Sequence, residues 1–225
     1  MGTNKKYELT KNTKVICGRT LYQIIALKDF SHIKAGELGG WVESESNLSQ
    51  QDNAWVYRDA LVYGSAVVYE NAKVYGNAVV YEDALVYGDA RVYGNAWVSR
   101  NARVYENAKV YGNAVVYENA RVSGNARIYG DARIYGNAEV HGRSAIQNTH
   151  DYLCVGPIGS RNGYTTFAKS KNGIYVACGC FEGEIEEFEQ RVTKTHGGSV
   201  HGENYKAVML LARTVLGETI KTKKG

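Results

Sequence analysis

The sequence predicts a mainly β fold, a parallel β-helix closed at each end by a small module. Three observations predict it. A six-residue phrase runs fifteen times without a break from Ala54 to Arg143. Its first position is always Ala and its third always Val or Ile. Its last two positions are turn formers. A unit this short holds one brief strand and one corner, and it buries its apolar side only by stacking on copies of itself.

Each position of the phrase has a physical role. Strand side chains alternate between faces, so Ala at the first position and Val or Ile at the third point inward, while the second and fourth point to solvent. The fifth is mainly Gly or Glu, and the sixth is Asn or Asp except at Ser65 and Arg143. Such residues tolerate the left-handed backbone of a tight corner. The fourth is Tyr in twelve of the fifteen units. The register continues through Ser144, Ala145 and Ile146 and then stops.

The flanking segments read differently. Residues 1–48 form a β-rich N-terminal cap, with strands expected at Leu21 to Leu27 and Lys14 to Cys17 and a turn cluster at Gly36 to Gly40. Val42 and Leu48, six apart, suggest an irregular first coil. Residues 49–147 are the β-helix. Residues 148–225 are a small α+β domain. Strands are expected at Tyr152 to Val155, Tyr164 to Ala168 and Ile174 to Cys178, the last preceded by the hairpin signal Asn172-Gly173. Helices are expected at Glu184 to Thr195 and Asn204 to Leu216, the second aligning Tyr205, Val208, Met209, Ala212, Val215 and Leu216. The tail Lys221 to Lys224 is expected to fray.

The phrase resembles the hexapeptide-repeat proteins, most plainly at Val74-Tyr75-Gly76-Asn77-Ala78-Val79. That resemblance implies a left-handed parallel β-helix with three units per coil, here about five regular coils. The chain also resembles Tyr-rich repeat proteins of bacteria and prophages, through Gly18-Arg19-Thr20-Leu21-Tyr22, Gly39-Gly40-Trp41-Val42 and Gly159-Ser160-Arg161-Asn162-Gly163. It implies a bacterial or phage origin and no assigned chemistry.

With three units per coil, residues eighteen apart stack at about 4.8 Å. One face then carries Tyr57, Tyr75, Tyr93, Tyr111 and Tyr129 beside Trp55, Lys73, Arg91, Lys109 and Arg127. Stacking rings with cations hold nucleotides or single-stranded nucleic acid. A second face aligns Leu61, Val79, Trp97 and Val115, an outward apolar row of the kind that marks a protein interface. Glu82, Arg100 and Glu118 stack at one corner with alternating charge.

Hexapeptide-repeat acyltransferases bind coenzyme A between subunits of a trimer, many with a His base on a loop. No loop leaves these coils, and their only His is His141, the weak catalytic candidate. Cys178-Gly179-Cys180 with His196 and His201 does not match the ligand spacing of structural zinc sites. The glycine-rich segment with Ser160 and Arg161 is the small-anion candidate of the C-terminal module. No cofactor is expected. Cys17, Cys154, Cys178 and Cys180 read as free thiols in small cores.

Net charge is +4, which admits an acidic partner without requiring one. With neither a secretory signal after Met1 nor a run of about 18 apolar residues, a cytoplasmic protein with no membrane partner is expected. The sequence favours a homo-oligomeric binding scaffold, one that captures a host protein, a nucleotide or a nucleic acid if phage-encoded. A coenzyme A-dependent acyltransferase and a structural filament are the alternatives.

Overall fold

The computed structural model describes residues 5–217, so the tail at 221–224 lies outside them. Each repeat contributes a two-residue strand from its second and third positions, such as Lys73–Val74 and Val79–Val80. Strands eighteen residues apart pair in parallel. Three sheets form the three faces, and every inward Ala and aliphatic residue of the repeat is fully buried. The solenoid makes about six turns, because Val42 and Leu48 are inward rungs as well. The strand Leu38–Val42 pairs in parallel with Leu61–Val62, and Leu48 bridges Val68.

The corners explain the last two positions of the phrase. Every fifth-position residue has positive φ, from +49° at Arg58 to +72° at Gly112. The glutamates there also take hydrogen bonds. Glu70, Glu106 and Glu118 accept the amide N–H of Gly88, Gly124 and Gly136, one coil later, at 2.8, 2.6 and 2.8 Å. Sixth-position side chains form ladders of the same period. Asn77 donates to Asn95, Asn95 to Asn113 and Asn113 to Asp131, at 3.1, 3.1 and 3.0 Å. The expected charge stack is present between Arg100 and Glu118, 3.3 Å apart.

The N-terminal cap is a hairpin, Tyr7–Ile16 with Arg19–Ala26, whose second strand pairs antiparallel with Leu38–Val42. It thereby prolongs one solenoid face into an 8-stranded sheet. Gly39 and Gly40 lie in this strand rather than in a turn. A Cβ on Gly39 would come within 2.5 Å of Ile24, and one on Gly40 within 2.7 Å of the Ala60 carbonyl oxygen, so only glycine lets the strands approach. Buried Lys6 donates to the carbonyls of Gln51 and Ala54 at 3.1 and 2.9 Å, and the Tyr7 hydroxyl donates to that of Leu48 at 2.7 Å. These are backbone acceptors that the irregular first coil leaves without a ladder partner. Desolvation pushes the Lys6 ammonium down to about 8.

At the other end, four antiparallel strands, Tyr152–Ile158, Gly163–Ser170, Gly173–Cys178 and Phe181–Glu184, lie across the last coil. Alternation assigns their faces. Ala168, Tyr152 and Cys154 pack on the solenoid core, while Phe167, Ile174 and Val176 pack on helices α1 (Ile185–His196) and α2 (Val200–Leu216). Phe181–Glu184 was not expected, and its last residue, Glu184, was read as the start of a helix. The hairpin at Asn172 turns one residue earlier than its Asn-Gly signal, since Ser170 pairs with Gly173. Helix α2 begins four residues before the expected Asn204, because Ser199 caps it and accepts from the Gly202 amide at 3.3 Å. Val215, expected inward, is 47% exposed. Cys17 and Cys180 are exposed at turns rather than buried, and all four cysteines are free. No helix among the described residues is long and apolar enough to cross a membrane.

Candidate functional site

Parallel pairing in strict register places Trp55, Lys73, Arg91, Lys109 and Arg127 opposite one another on consecutive rungs. The cap takes Trp55 out of this row. Its ring is buried against Phe30 at 5.3 Å and Tyr7 at 6.1 Å, both edge to face. The second position was read as outward, and here the fold overrides that reading because the hairpin lies over the first rungs. Four cations remain on the open face. None has a carboxylate partner among the described residues, whereas Arg100 is held by Glu118 and Arg121 by Glu139 at 3.2 Å.

Beside them the tyrosines from Tyr75 to Tyr129 form a continuous stack, while Tyr57 meets Tyr75 edge on at 6.1 Å. Tyr75 and Tyr93 lie 4.8 Å apart and 3° from parallel, Tyr93 and Tyr111 4.9 Å and 2°, and Tyr111 and Tyr129 5.3 Å and 9°. The ring faces are turned to each other, so a base enters only by breaking the ladder. Outward the row offers phenol edges and cations. Burial raises the Tyr75 and Tyr93 hydroxyls above the ordinary phenol value and pushes Tyr57 to about 12, so these three are neutral near pH 7.

A cavity of about 510 Å³ opens where this row meets the cap, lined by His32, Tyr57, Arg58, Lys73, Tyr75 and Arg91. His32 stacks on Tyr57, and its Nε2 lies 2.8 Å from the Tyr57 hydroxyl. His32 sits in an aperiodic segment, between the mutually bonded Phe30 and Ile33, and no sequence signal tied it to the repeat.

The apolar row is likewise in register, Leu61 with Val79, Val79 with Trp97 and Trp97 with Val115. Trp41 of the cap extends it. Trp97 is 48% exposed and the other three repeat residues are half-buried. Ser99 replaces Tyr on the Trp97 rung, and it is buried while Tyr81 meets the indole edge on at 6.3 Å.

His141 lies in the seam between the last coil and the C-terminal sheet. Its Nδ1 is 2.5 Å from the Ser123 hydroxyl and 3.2 Å from a Glu182 carboxylate oxygen, and only 11% of its side chain is exposed. Ser160 and Arg161 are in the hairpin tip of the C-terminal module and line a different cavity from Lys73 and Arg91. Cys178, Cys180 and His196 share a cavity wall there. No group of three or more His, Cys, Asp or Glu among the described residues is placed to hold a metal ion.

Comparison with known proteins finds the same kind of repeat. The pattern described as the YdcK β-solenoid repeat matches residues 72–88, 84–100, 108–124, 120–136 and 126–142. One similar curated protein is "Uncharacterized acetyltransferase YdcK" of Escherichia coli (strain K12), 44% identical over 45 residues. The match spans 20% of this chain and 14% of that protein. Those segments lie wholly within the stacked rungs, and the chain is a repeat β-helix protein, with residues 72–100 and 108–142 of its coils matching the YdcK β-solenoid repeat.

Proposed function

We propose that the protein is a non-enzymatic scaffold that holds an extended anionic ligand along Lys73, Arg91, Lys109 and Arg127. The observation that carries this reading is a row of four cations in register with no carboxylate partner among the described residues. At a rung spacing of about 4.8 Å, adjacent unit charges repel by roughly 0.9 kcal/mol even at the dielectric of water. An anion relieves that repulsion, and phenol hydroxyls beside it supply neutral donors. The ligand is recognised by charge and edge hydrogen bonds rather than by stacking. The row Leu61, Val79, Trp97 and Val115 is proposed as the contact between copies. In a phage setting the captured component would be a host protein or nucleotide signal.

Titration with labelled oligothymidylate and with polyglutamate, at low and at physiological salt, tests the cationic row. Salt-sensitive binding of at least one polymer is expected, lost when all four cations are replaced by Ala. No salt-sensitive binding of either polymer refutes it. For the apolar row, an unchanged native mass on Trp97→Glu counts against the contact.

An acetyltransferase is the second reading, favoured by the name of the matching Escherichia coli protein. His141 would be its base, which requires the ring to leave Ser123 and Glu182 and face an acceptor. Failure to bind acetyl-coenzyme A at millimolar concentration disposes of it. A filament stacked end to end has less support, since hairpin and sheet cover the two ends of the coil stack.

A further inference from the structure

The C-terminal module holds a second cavity, of about 410 Å³, between its outer hairpin tips and α1. Its charge is one-sided. Arg161 from the tip at 159–162, Arg191 from the middle of α1 and His196 from its end all line it, and no Asp or Glu does. Neither arginine has a carboxylate partner among the described residues. Of the acids on α1, Glu186 and Glu189 hold Arg213 of α2 at 3.3 and 3.2 Å, and Glu187, four residues before Arg191, lies beside Gly183 rather than in an ion pair with that arginine.

The walls are aromatic and already packed. Phe188 meets Tyr205 edge on at 5.5 Å and lies tilted against Phe181 at 5.1 Å, and the Arg191 guanidinium lies over the Phe181 ring at 5.9 Å. Tyr164 stands 42% exposed at the rim. The tip is pressed onto this floor. Gly159 has φ +74°, and a Cβ there would fall 2.1 Å from the Tyr205 hydroxyl, so only glycine brings Ser160 and Arg161 this close.

Two unpaired guanidiniums with a serine hydroxyl suit a phosphate, which arginine binds through its fork of donors. The aromatic walls suit a flat apolar body. A cavity at the small end of ligand pockets, which run from roughly 300 to 1,000 Å³, takes one ring system and one charged group. We propose that this cavity binds a small aromatic phosphate of nucleoside monophosphate size, its phosphate between Arg161, Arg191 and Ser160 and its ring against Phe181 and Tyr164. The site is separate from the solenoid cations and does not depend on their role.

Calorimetric titration of the full chain with adenosine monophosphate, phenyl phosphate, adenosine and inorganic phosphate tests it. At least one aromatic phosphate should bind ten-fold or more tightly than adenosine or phosphate alone. Arg161→Gln and Arg191→Gln should each weaken that binding at least ten-fold, with Arg191→Lys intermediate because it keeps the charge and loses the fork. Replacing the four solenoid cations by Ala should leave it unchanged. Binding of neither aromatic phosphate, or binding lost with the solenoid cations and kept in both Gln variants, overturns the proposal. Circular dichroism of each variant separates lost binding from lost fold.

Discussion

Replacing Tyr93 with Ala tests whether the tyrosine ladder holds the coils together. Tyr93 stacks on Tyr75 at 4.8 Å and on Tyr111 at 4.9 Å, with interplanar angles of 3° and 2°. An aromatic pair contributes about 0.5–1.5 kcal/mol beyond its buried area. Two pairs are lost at once, so Tyr93→Ala should cost about 1–3 kcal/mol in stacking, on top of the apolar area the ring buries. Tyr129 has one such neighbour in this row, Tyr111 at 5.3 Å, and Tyr129→Ala should cost about half as much. Urea unfolding followed by far-ultraviolet circular dichroism gives both values. Tyr93→Phe is the control, since the ring alone makes these contacts. The same variants should bind polyanions as the parent does, because the cations remain. Equal losses at the two positions, or a loss under about 0.5 kcal/mol at Tyr93, would refute additive stacking along the ladder.

Three further outcomes follow from the caps and corners. Gly40→Ala should destabilise by about 1–3 kcal/mol in urea, because the new Cβ meets the Ala60 carbonyl oxygen at 2.7 Å and backbone cannot rotate away. Glu118→Ala removes both the acceptor of the Gly136 amide and the Arg100 pair and should cost about 1 kcal/mol. Glu82→Ala, with neither contact, should stay within about 0.5 kcal/mol. Asp151 joins coil to C-terminal sheet. Burial raises its pKa, but Lys169 at 2.7 Å and the Asn148 and Gln147 amides outweigh that and hold it below the ordinary 3.8. A carboxyl depressed in the fold stabilises above its unfolded pKa and stops doing so as pH falls through the folded value. Asp151→Asn should therefore lower the urea midpoint at pH 7, with the gap from the parent closing in acid.

The repeat region was legible because its physics is local and periodic. Ala at the first position, Val or Ile at the third and a positive-φ corner at the fifth describe one rung, and every rung has the same neighbours above and below. Eighteen-residue spacing then fixes partners without any knowledge of distant segments, and so both the cationic row and the apolar row could be aligned from sequence. The Glu-to-Gly hydrogen bonds across corners were legible in principle, since Glu70, Glu106 and Glu118 each precede a glycine by eighteen residues. Even the first irregular coil showed itself in the six-residue gap between Val42 and Leu48.

Tertiary structure decided whatever depends on contacts between segments of different grammar. Trp55 follows the outward pattern and is buried, because Tyr7 and Phe30 of the N-terminal cap lie over it. Gly39 and Gly40 look like a turn and form a strand, because Ile24 and Ala60 leave no space for a side chain. His141 ends the repeat like any other unit, yet Glu182 from another sheet engages it. Ser160 and Arg161 gain Arg191, His196 and an aromatic floor only after the hairpin tip and α1 converge. A short period repeats its own environment and so can be read from one copy. A cap or a cavity is made once, from residues far apart in the chain, and its energy resides in contacts that no local pattern encodes.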